Sequence, residues 1–378
     1  MNLNRFDRFS PSEYASMQLA LRLARQGQFT TRTNPQVGCV LVRDGQIVGR
    51  GLHWRPGEPH AEVNALREAG SRARGATAYV TLEPCCHHGR TGPCADALIE
   101  AGVARVIAAN KDPNPRVDGG GFAKLRAAGI ECQHGLLASP AAQLNAAFFK
   151  RQRTGLPWLR VKLAASLDAR TALADGNSAW ITGSAARLDV QWLRARACAV
   201  LSGSDTVLND DPSLTVRIDR AGQPCAEAKS DIPQPLRVIV DGRCRVTPTA
   251  KTFHLPGTVL IATTDTGRLP ASSLPPSAEV ELFEPRDGRV DLTALMRRLG
   301  NRGINEIHCE CGPNLAGALL ELGLVDELFV YTAPHLLGTS AHPLLNIPSP
   351  QDMKVRRNLD LTETRRVGGD VRLRYAPR

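Results

Sequence analysis

Aromatic residues are scarce in this 378-residue chain: Phe, Trp and Tyr together make up 4%. Proteins that hold single-stranded nucleic acid stack its bases on aromatics along a basic groove. Here the arginines are scattered singly instead. Long apolar runs are missing as well. No stretch approaches the ~18 apolar residues of a membrane-spanning helix, and residues 1–30 lack an apolar run beside a small-residue cleavage site. No Gly-x-Gly-x-x-Gly opens a helix after a strand, so the common dinucleotide-binding fingerprint is absent. These absences leave a protein expected in the cytoplasm, with neither a membrane nor a nucleic acid as partner.

The hydrophobic share of 42% and charged share of 22% are those of an ordinary folded protein. The length exceeds one core and implies two domains. Ten cysteines spread over so long a chain, without a secretion signal, read as reduced thiols. Cys39, Cys132, Cys198, Cys309 and Cys311 lie in apolar strand-like runs and are expected to pack as small hydrophobes. A net charge of +10 suits phosphorylated small molecules as well as a polyanion, and solvated helix faces account for much of it.

Ser10-Pro11-Ser12-Glu13 is a capping box with proline at the first helical position. It predicts a helix to about residue 26, closed by Gly27. Residues 37–43 and 46–53 read as strands joined by Asp44-Gly45, a two-residue hairpin turn. Helices over 60–69, 94–101 and 122–128 alternate with strands over 76–82, 104–109 and 129–132. That order predicts a mixed sheet with helices on both faces. Residues 139–157 read as the crossing into a second domain, which sets the domains at 1–153 and 154–378. Beyond it, strands are predicted over 158–163, 197–201, 236–240, 258–262, 279–283, 306–310 and 327–331. Helices are predicted over 184–195, 292–299 and 315–322.

Pro59-His60-Ala61-Glu62 and Glu83-Pro84-Cys85, with Cys94 further on, hold the densest chemistry. One imidazole and two thiolates suffice to hold zinc tetrahedrally with one position open. An open position lowers the pKa of water held there, and Glu62, which is not a ligand, is placed to carry the proton. His-x-Glu followed by Pro-Cys and a second Cys is the signature of zinc deaminases acting on amino-substituted bases. His60 and Glu62 are two apart, about 200° around a regular helix. They share a site only if His60 precedes the helix, which Pro59 favours. Cys94 follows Gly92-Pro93 at another helix start, where free N–H groups favour thiolate over thiol. A structural zinc knuckle closed by Cys86, His87 or His88 is the plainer alternative.

Eight residues separate Cys85 from Cys94, where the usual signature has two, and they include His87-His88-Gly89-Arg90-Thr91-Gly92-Pro93. This stretch resembles the deaminase half of the bifunctional riboflavin-biosynthesis deaminase/reductase family. Residues 161–170, 178–182, 202–217 and 309–317 resemble its reductase half, so the resemblance runs through nearly the whole chain in order. Cys86 stands where serine is expected, and Gly92 where a second proline is expected. The family implies an N-terminal cytidine-deaminase-like three-layer αβα domain and a C-terminal dihydrofolate-reductase-like α/β domain. It implies hydrolytic deamination of 2,5-diamino-6-ribosylamino-4(3H)-pyrimidinone 5′-phosphate with one zinc per chain. Reduction of 5-amino-6-ribosylaminouracil 5′-phosphate to the ribitylamino product with NADPH would follow, in a homo-oligomer (dimer or tetramer).

By the same resemblance His60, Cys85 and Cys94 bind zinc and Glu62 is catalytic. Asn34, His53, His87 and Arg90 line the deaminase pocket, with Arg90 a natural phosphate partner. Lys162, Ser178, Arg194, Leu214, Arg217 and Glu310 fall at substrate positions. Ala164, Trp180, Thr206, Asp210 and the turn Gly312-Pro313-Asn314-Leu315-Ala316-Gly317 fall at cofactor positions. Trp180 fits a packing role equally well, and Asp210 and Glu310 both remain open as proton donors. A second reading, a tRNA-type base deaminase fused to a nucleic-acid-binding domain, would use the positive charge. The long Cys–Cys spacing and the second half disfavour it.

Overall fold

The computed structural model describes residues 9–89, 91–115, 117–178, 180–226, 230–265 and 274–378. The chain divides into two compact units, Met1–Gly155 and Leu156–Arg378.

In the first unit α1 (Pro11–Gln26) starts on the capping box, Glu13 N donating to Ser10 Oγ at 3.3 Å and Ser10 N to Glu13 Oε2 at 2.7 Å. Gly27 closes the helix in right-handed backbone (φ −78°). It is glycine for lack of space, because a Cβ there would lie 2.8 Å from the His53 carbonyl oxygen. β1 (Gly38–Arg43) and β2 (Gln46–Leu52) join through Asp44 (φ 50°) and Gly45 (φ 75°), the two left-handed residues of a type I′ turn. Then come α2 (Ala61–Ala69), β3 (Thr77–Val80), α3 (Cys94–Glu100), β4 (Arg105–Ala108), α4 (Gly120–Ala127), β5 (Glu131–His134), α5 (Ala138–Leu144) and α6 (Ala146–Thr154).

The sheet order is β2-β1-β3-β4-β5, antiparallel on both sides of β1 and parallel from β3 to β5. Strand alternation sends Cys39, Leu41, Ala78, Val80, Val106 and Ala108 into one core with α2, α3 and α4. Val40, Tyr79 and Ile107 enter another with α1 and α5. The unit is therefore three layers, as expected. α2 rides close on β2, where Cβ atoms on Gly49 and Gly51 would lie 2.2 Å from Ala65 O and 2.0 Å from Ala61 O. The unit ends in two short helices, α5 and α6. They break at Asn145, whose side chain accepts from Gln36 N (2.8 Å) and donates to Gln36 O (2.9 Å).

The second unit runs β6 (Trp158–Ser166), β7 (Arg170–Ala172), α7 (Ser184–Arg196), β8 (Ala199–Gly203), α8 (Ser204–Asp210), β9 (Leu236–Val240), β10 (Val259–Thr263) and β11 (Ala278–Leu282). It continues with β12 (Pro285–Arg286), β13 (Arg289–Val290), α9 (Leu292–Asn301), β14 (Glu306–Glu310), α10 (Pro313–Glu321), β15 (Glu327–Ala333), β16 (His342–Pro343), β17 (Leu359–Val367) and β18 (Asp370–Pro377). The main sheet is β11-β10-β9-β8-β14-β6-β15-β18-β17. It is parallel up to β15 and ends in an antiparallel hairpin that the sequence reading lacked. One face packs Leu159, Val161, Leu201, Ile307, Cys309 and Leu328 against α9 and α10.

The other face carries buried charges on β6, β14 and β15 and, on β8 to β10, apolar Val200, Ile239 and Ile261. Arg160 is buried between Glu306 (2.5 Å) and Glu327 (2.8 Å), and Tyr331 donates to Asp189 of α7 at 2.6 Å. Cys39, Cys198 and Cys309 are buried, as small hydrophobes should be, while Cys132 and Cys311 are half-buried.

Candidate active sites

In the first unit His60 is the N-cap of α2 with extended backbone (φ −73°, ψ 168°), so it stands before the helix while Glu62 sits in its first turn. Cys94 opens α3 behind Pro93. His60 Nδ1 lies 3.2 Å from Cys94 Sγ and 3.6 Å from Cys85 Sγ, and the three donor atoms fall within 4.8 Å of one another. Among the described residues no fourth His, Cys, Asp or Glu joins them. One ring nitrogen and two sulfurs at this spacing fit a tetrahedral zinc with a position left over. His60 Nε2 is within 3.3 Å of the Thr91 hydroxyl, an outer contact that orients the ring.

The helix-start N–H serves a different sulfur from the one expected. Cys94 N donates to Cys85 Sγ at 3.2 Å. Hydrogen bonding from Cys94, then His60, pulls the Cys85 thiol down to about 4, while the same contact and burial push Cys94 up. Glu62 is buried, 3% exposed, and burial followed by the nearby Cys85 charge pushes it up to about 7.

His60, Glu62 and Cys85 open on a cavity of about 390 Å³ that Asn34, His53 and His87 also line. Asn34 Nδ2 donates to His53 Nε2 (2.9 Å) while His53 Nδ1 donates to Pro59 O (3.3 Å), which fixes the tautomer. Burial lowers the His53 pKa and keeps the ring neutral. His87 Nδ1 is buried with no partner among the described residues. Arg90 lies outside the described residues. At the two family departures, Cys86 Sγ packs 2.9 Å from where a Gly120 Cβ would be, and Gly92 faces open space.

Sequence reasoning missed two carboxylates. Glu83, buried beside the Pro84-Cys85 turn, accepts from Asp112 N, Gly119 N and Phe122 N at 3.1–3.2 Å. It ties the start of α4 to the cysteine loop. Gly121 permits this approach, since a Cβ there would lie 1.9 Å from Pro84 O. Asp112 lines the cavity, and burial, reinforced by the Glu83 and Cys85 charges, pushes it up to about 6. The Gly119-Gly120-Gly121 run was the available signal for that close packing.

In the second unit a cleft of about 1640 Å³ is lined by Lys162, Ala164, Ser178, Trp180, Arg194, Thr206, Asp210, Leu214, Arg217, Glu310 and Gly312 to Leu315. Ala316 is instead fully buried in the core, and Gly317 packs on a neighbouring loop, its Cβ position 2.1 Å from Asn346 O. Neither lines the cleft. Arg194 grips Glu310 through Nε–Oε1 (2.5 Å) and Nη2–Oε2 (2.9 Å). Burial alone would raise Glu310, but Arg194 holds it well below the usual range. Glu310 is thus an anion and a poor proton donor. Burial lowers the Lys162 pKa. Ser178 Oγ donates to Asp210 Oδ1 at 3.1 Å. Trp180 is 76% exposed with Arg187 stacked 4.5 Å from its ring, so it is no core residue. Gly312 caps α10, with Pro313 at its first position and open space around it.

A three-donor metal site beside a buried carboxylate on one αβα unit defines a zinc-type deaminase, joined here to a second α/β unit with a wide cleft. Residues 11–110 match the cytidine and deoxycytidylate deaminase zinc-binding region, and 157–373 match the RibD C-terminal domain. The chain is similar to riboflavin biosynthesis protein RibD of Escherichia coli K12, 52% identical over 94% of this chain and 96% of that one. It is also similar to the structure of Acinetobacter baumannii RibD, form 1 (TM-score 0.88, 43% identity, 97% and 99% covered). A Thermotoga maritima diaminohydroxyphosphoribosylaminopyrimidine deaminase/5-amino-6-(5-phosphoribosylamino)uracil reductase gives a TM-score of 0.84 at 30% identity, again with 97% and 99% covered. The chain belongs to the RibD family, the bifunctional deaminase/reductases of riboflavin biosynthesis. Among its described residues no helix is long and apolar enough to cross a membrane.

Proposed function

We propose that the first unit hydrolyses the exocyclic amine of 2,5-diamino-6-ribosylamino-4(3H)-pyrimidinone 5′-phosphate. The second then reduces 5-amino-6-ribosylaminouracil 5′-phosphate with NADPH to the ribitylamino product. The observation that carries this reading is the His60–Cys85–Cys94 cluster with Glu62 on the wall of the same cavity.

His60 Nδ1 and the Cys85 and Cys94 sulfurs would hold zinc, which would serve there as a Lewis acid toward water. The Glu62 carboxylate takes one proton from the attacking water and passes it to the ring nitrogen. It then takes the second from the hydroxyl added to the ring carbon and passes it to the amine, which leaves as ammonia. A buried carboxyl with a raised pKa suits that shuttle. Neutral His53, both ring nitrogens engaged by Asn34 and Pro59, fixes the Asn34 amide that faces the base, and Arg90 pairs with the phosphate. In the second cleft Lys162, Ser178, Arg194, Leu214, Arg217 and Glu310 seat the sugar phosphate. Ala164, Trp180, Thr206, Asp210 and the N-terminus of α10 seat the dinucleotide, whose phosphates suit free helix-start N–H groups. Hydride transfer is the cofactor's chemistry, and the chain supplies orientation.

The substrates are small phosphorylated metabolites of the cytoplasm, and we place the enzyme there. A homo-oligomer, dimer or tetramer, accompanies the reading. The open edge at β17, with Leu361 55% exposed, supports it. Mass spectrometry of the pyrimidine product tests the whole scheme. Without NADPH the product should be the deaminated ribosyl compound, and with NADPH the ribityl compound. Reduction without prior loss of the amine would contradict the order.

A further inference from the structure

Alternation along β14 sets Glu306, His308 and Glu310 in a row on the sheet face beneath α7. His308 is 0% exposed, and neither ring nitrogen has an aligned hydrogen-bond partner among the described residues. Its Nε2 nonetheless lies 3.3 Å from Glu310 Oε1, the oxygen to which Arg194 Nε donates. An apolar residue would fill this place at less cost, since buried polar groups normally find partners. Other charged groups on this face are Glu306 on the same strand, Arg160 and Lys162 on β6, Glu327 on β15 and Arg194 on α7. Arg194 is heavily committed, with Nη1 donating to Thr215 O at 3.0 Å besides its two bonds to Glu310.

We propose that His308 is a positioning residue for the reduction. When bound substrate draws the Arg194 guanidinium toward itself, the His308 Nε2–H turns onto Glu310 Oε1 and keeps that carboxylate in place on the cleft wall. The inference rests on the reading that Arg194 and Glu310 contact the substrate. It adds a residue that does not line the cleft and that touches the reaction only through Glu310.

Steady-state NADPH oxidation on the deaminated substrate tests it, with ammonia release as the internal control. His308→Leu should raise the KM for the pyrimidine about tenfold, leaving the KM for NADPH and the rate of ammonia release unchanged. His308→Gln, whose amide N–H has similar reach, should restore most of the loss. Should the leucine variant not fold, His308→Asn, one atom shorter, takes its place and should lose what Gln retains. Wild-type KM in His308→Leu beside a raised KM in Glu310→Gln would overturn the role of His308 alone. An unchanged KM in Glu310→Gln would overturn the underlying site reading. Equal loss across both KM values and both His308 variants would show a merely structural residue and also sink the proposal.

Discussion

Lys162 lies on β6 facing Glu310 and Arg194, with its ammonium 5.8 Å from the Tyr331 ring centre. It belongs to one cleft only. Lys162→Ala should cut reduction of the deaminated substrate by about 10²-fold or more and leave ammonia release at the wild-type rate; equal loss of both steps would argue against separate sites. At this scale the metal donors and Glu62 were legible because their chemistry is written in short spacings. Asp112 was not, because only the end of β4 brings it to the cysteine loop, and the part played by Glu83 was not, because its three N–H donors come from the segment running from β4 into α4. Nor was the ranking of the two thiols. It depends first on the contact between the two side chains and then on which sulfur the α3 N–H meets.

The elements that carry the first site are set by glycines. Gly51 on β2 lets α2, and with it Glu62, approach to within a distance no Cβ would tolerate. Gly51→Ala should destabilise the first unit by about 2 kcal/mol and lower zinc retention, read by thermal melting and metal analysis, with reduction spared. In the second unit the buried Arg160–Glu306–Glu327 cluster makes a pH prediction. Burial by itself would raise Glu306, but Arg160 outweighs it and pulls the group from its usual 4.5 down to about 2. A carboxylate depressed in the folded state contributes stability that is fully present above 4.5 and is lost as pH falls toward 2. The Tm gap between wild type and Glu306→Gln should therefore be widest above pH 4.5 and narrow below it. A gap constant with pH would contradict the ion-pair account. Interior strands were legible as continuous apolar runs. The β17–β18 hairpin was not, because Leu359, Asp360, Leu361 and Arg365 alternate on an exposed, Arg-rich edge that gives no core signal. α8, only seven residues long, was hidden for want of periodicity.

For the whole molecule, the sequence order of motifs carried the division into two units, since each unit builds its own sheet from one continuous stretch of chain. Side-chain pairings such as Arg194–Glu310, 116 residues apart, lay beyond it. Two units with two chemistries make the chain its own control, because a lesion in one site can be read against the other. The central claim is that Glu62 moves the proton beside a three-donor zinc. It is tested most directly by ammonia release from Glu62→Gln protein whose zinc content has been measured on the same sample. About one zinc per chain with ammonia release down by about 10²-fold or more is the expected result. Near-normal ammonia release from that zinc-loaded variant would contradict it.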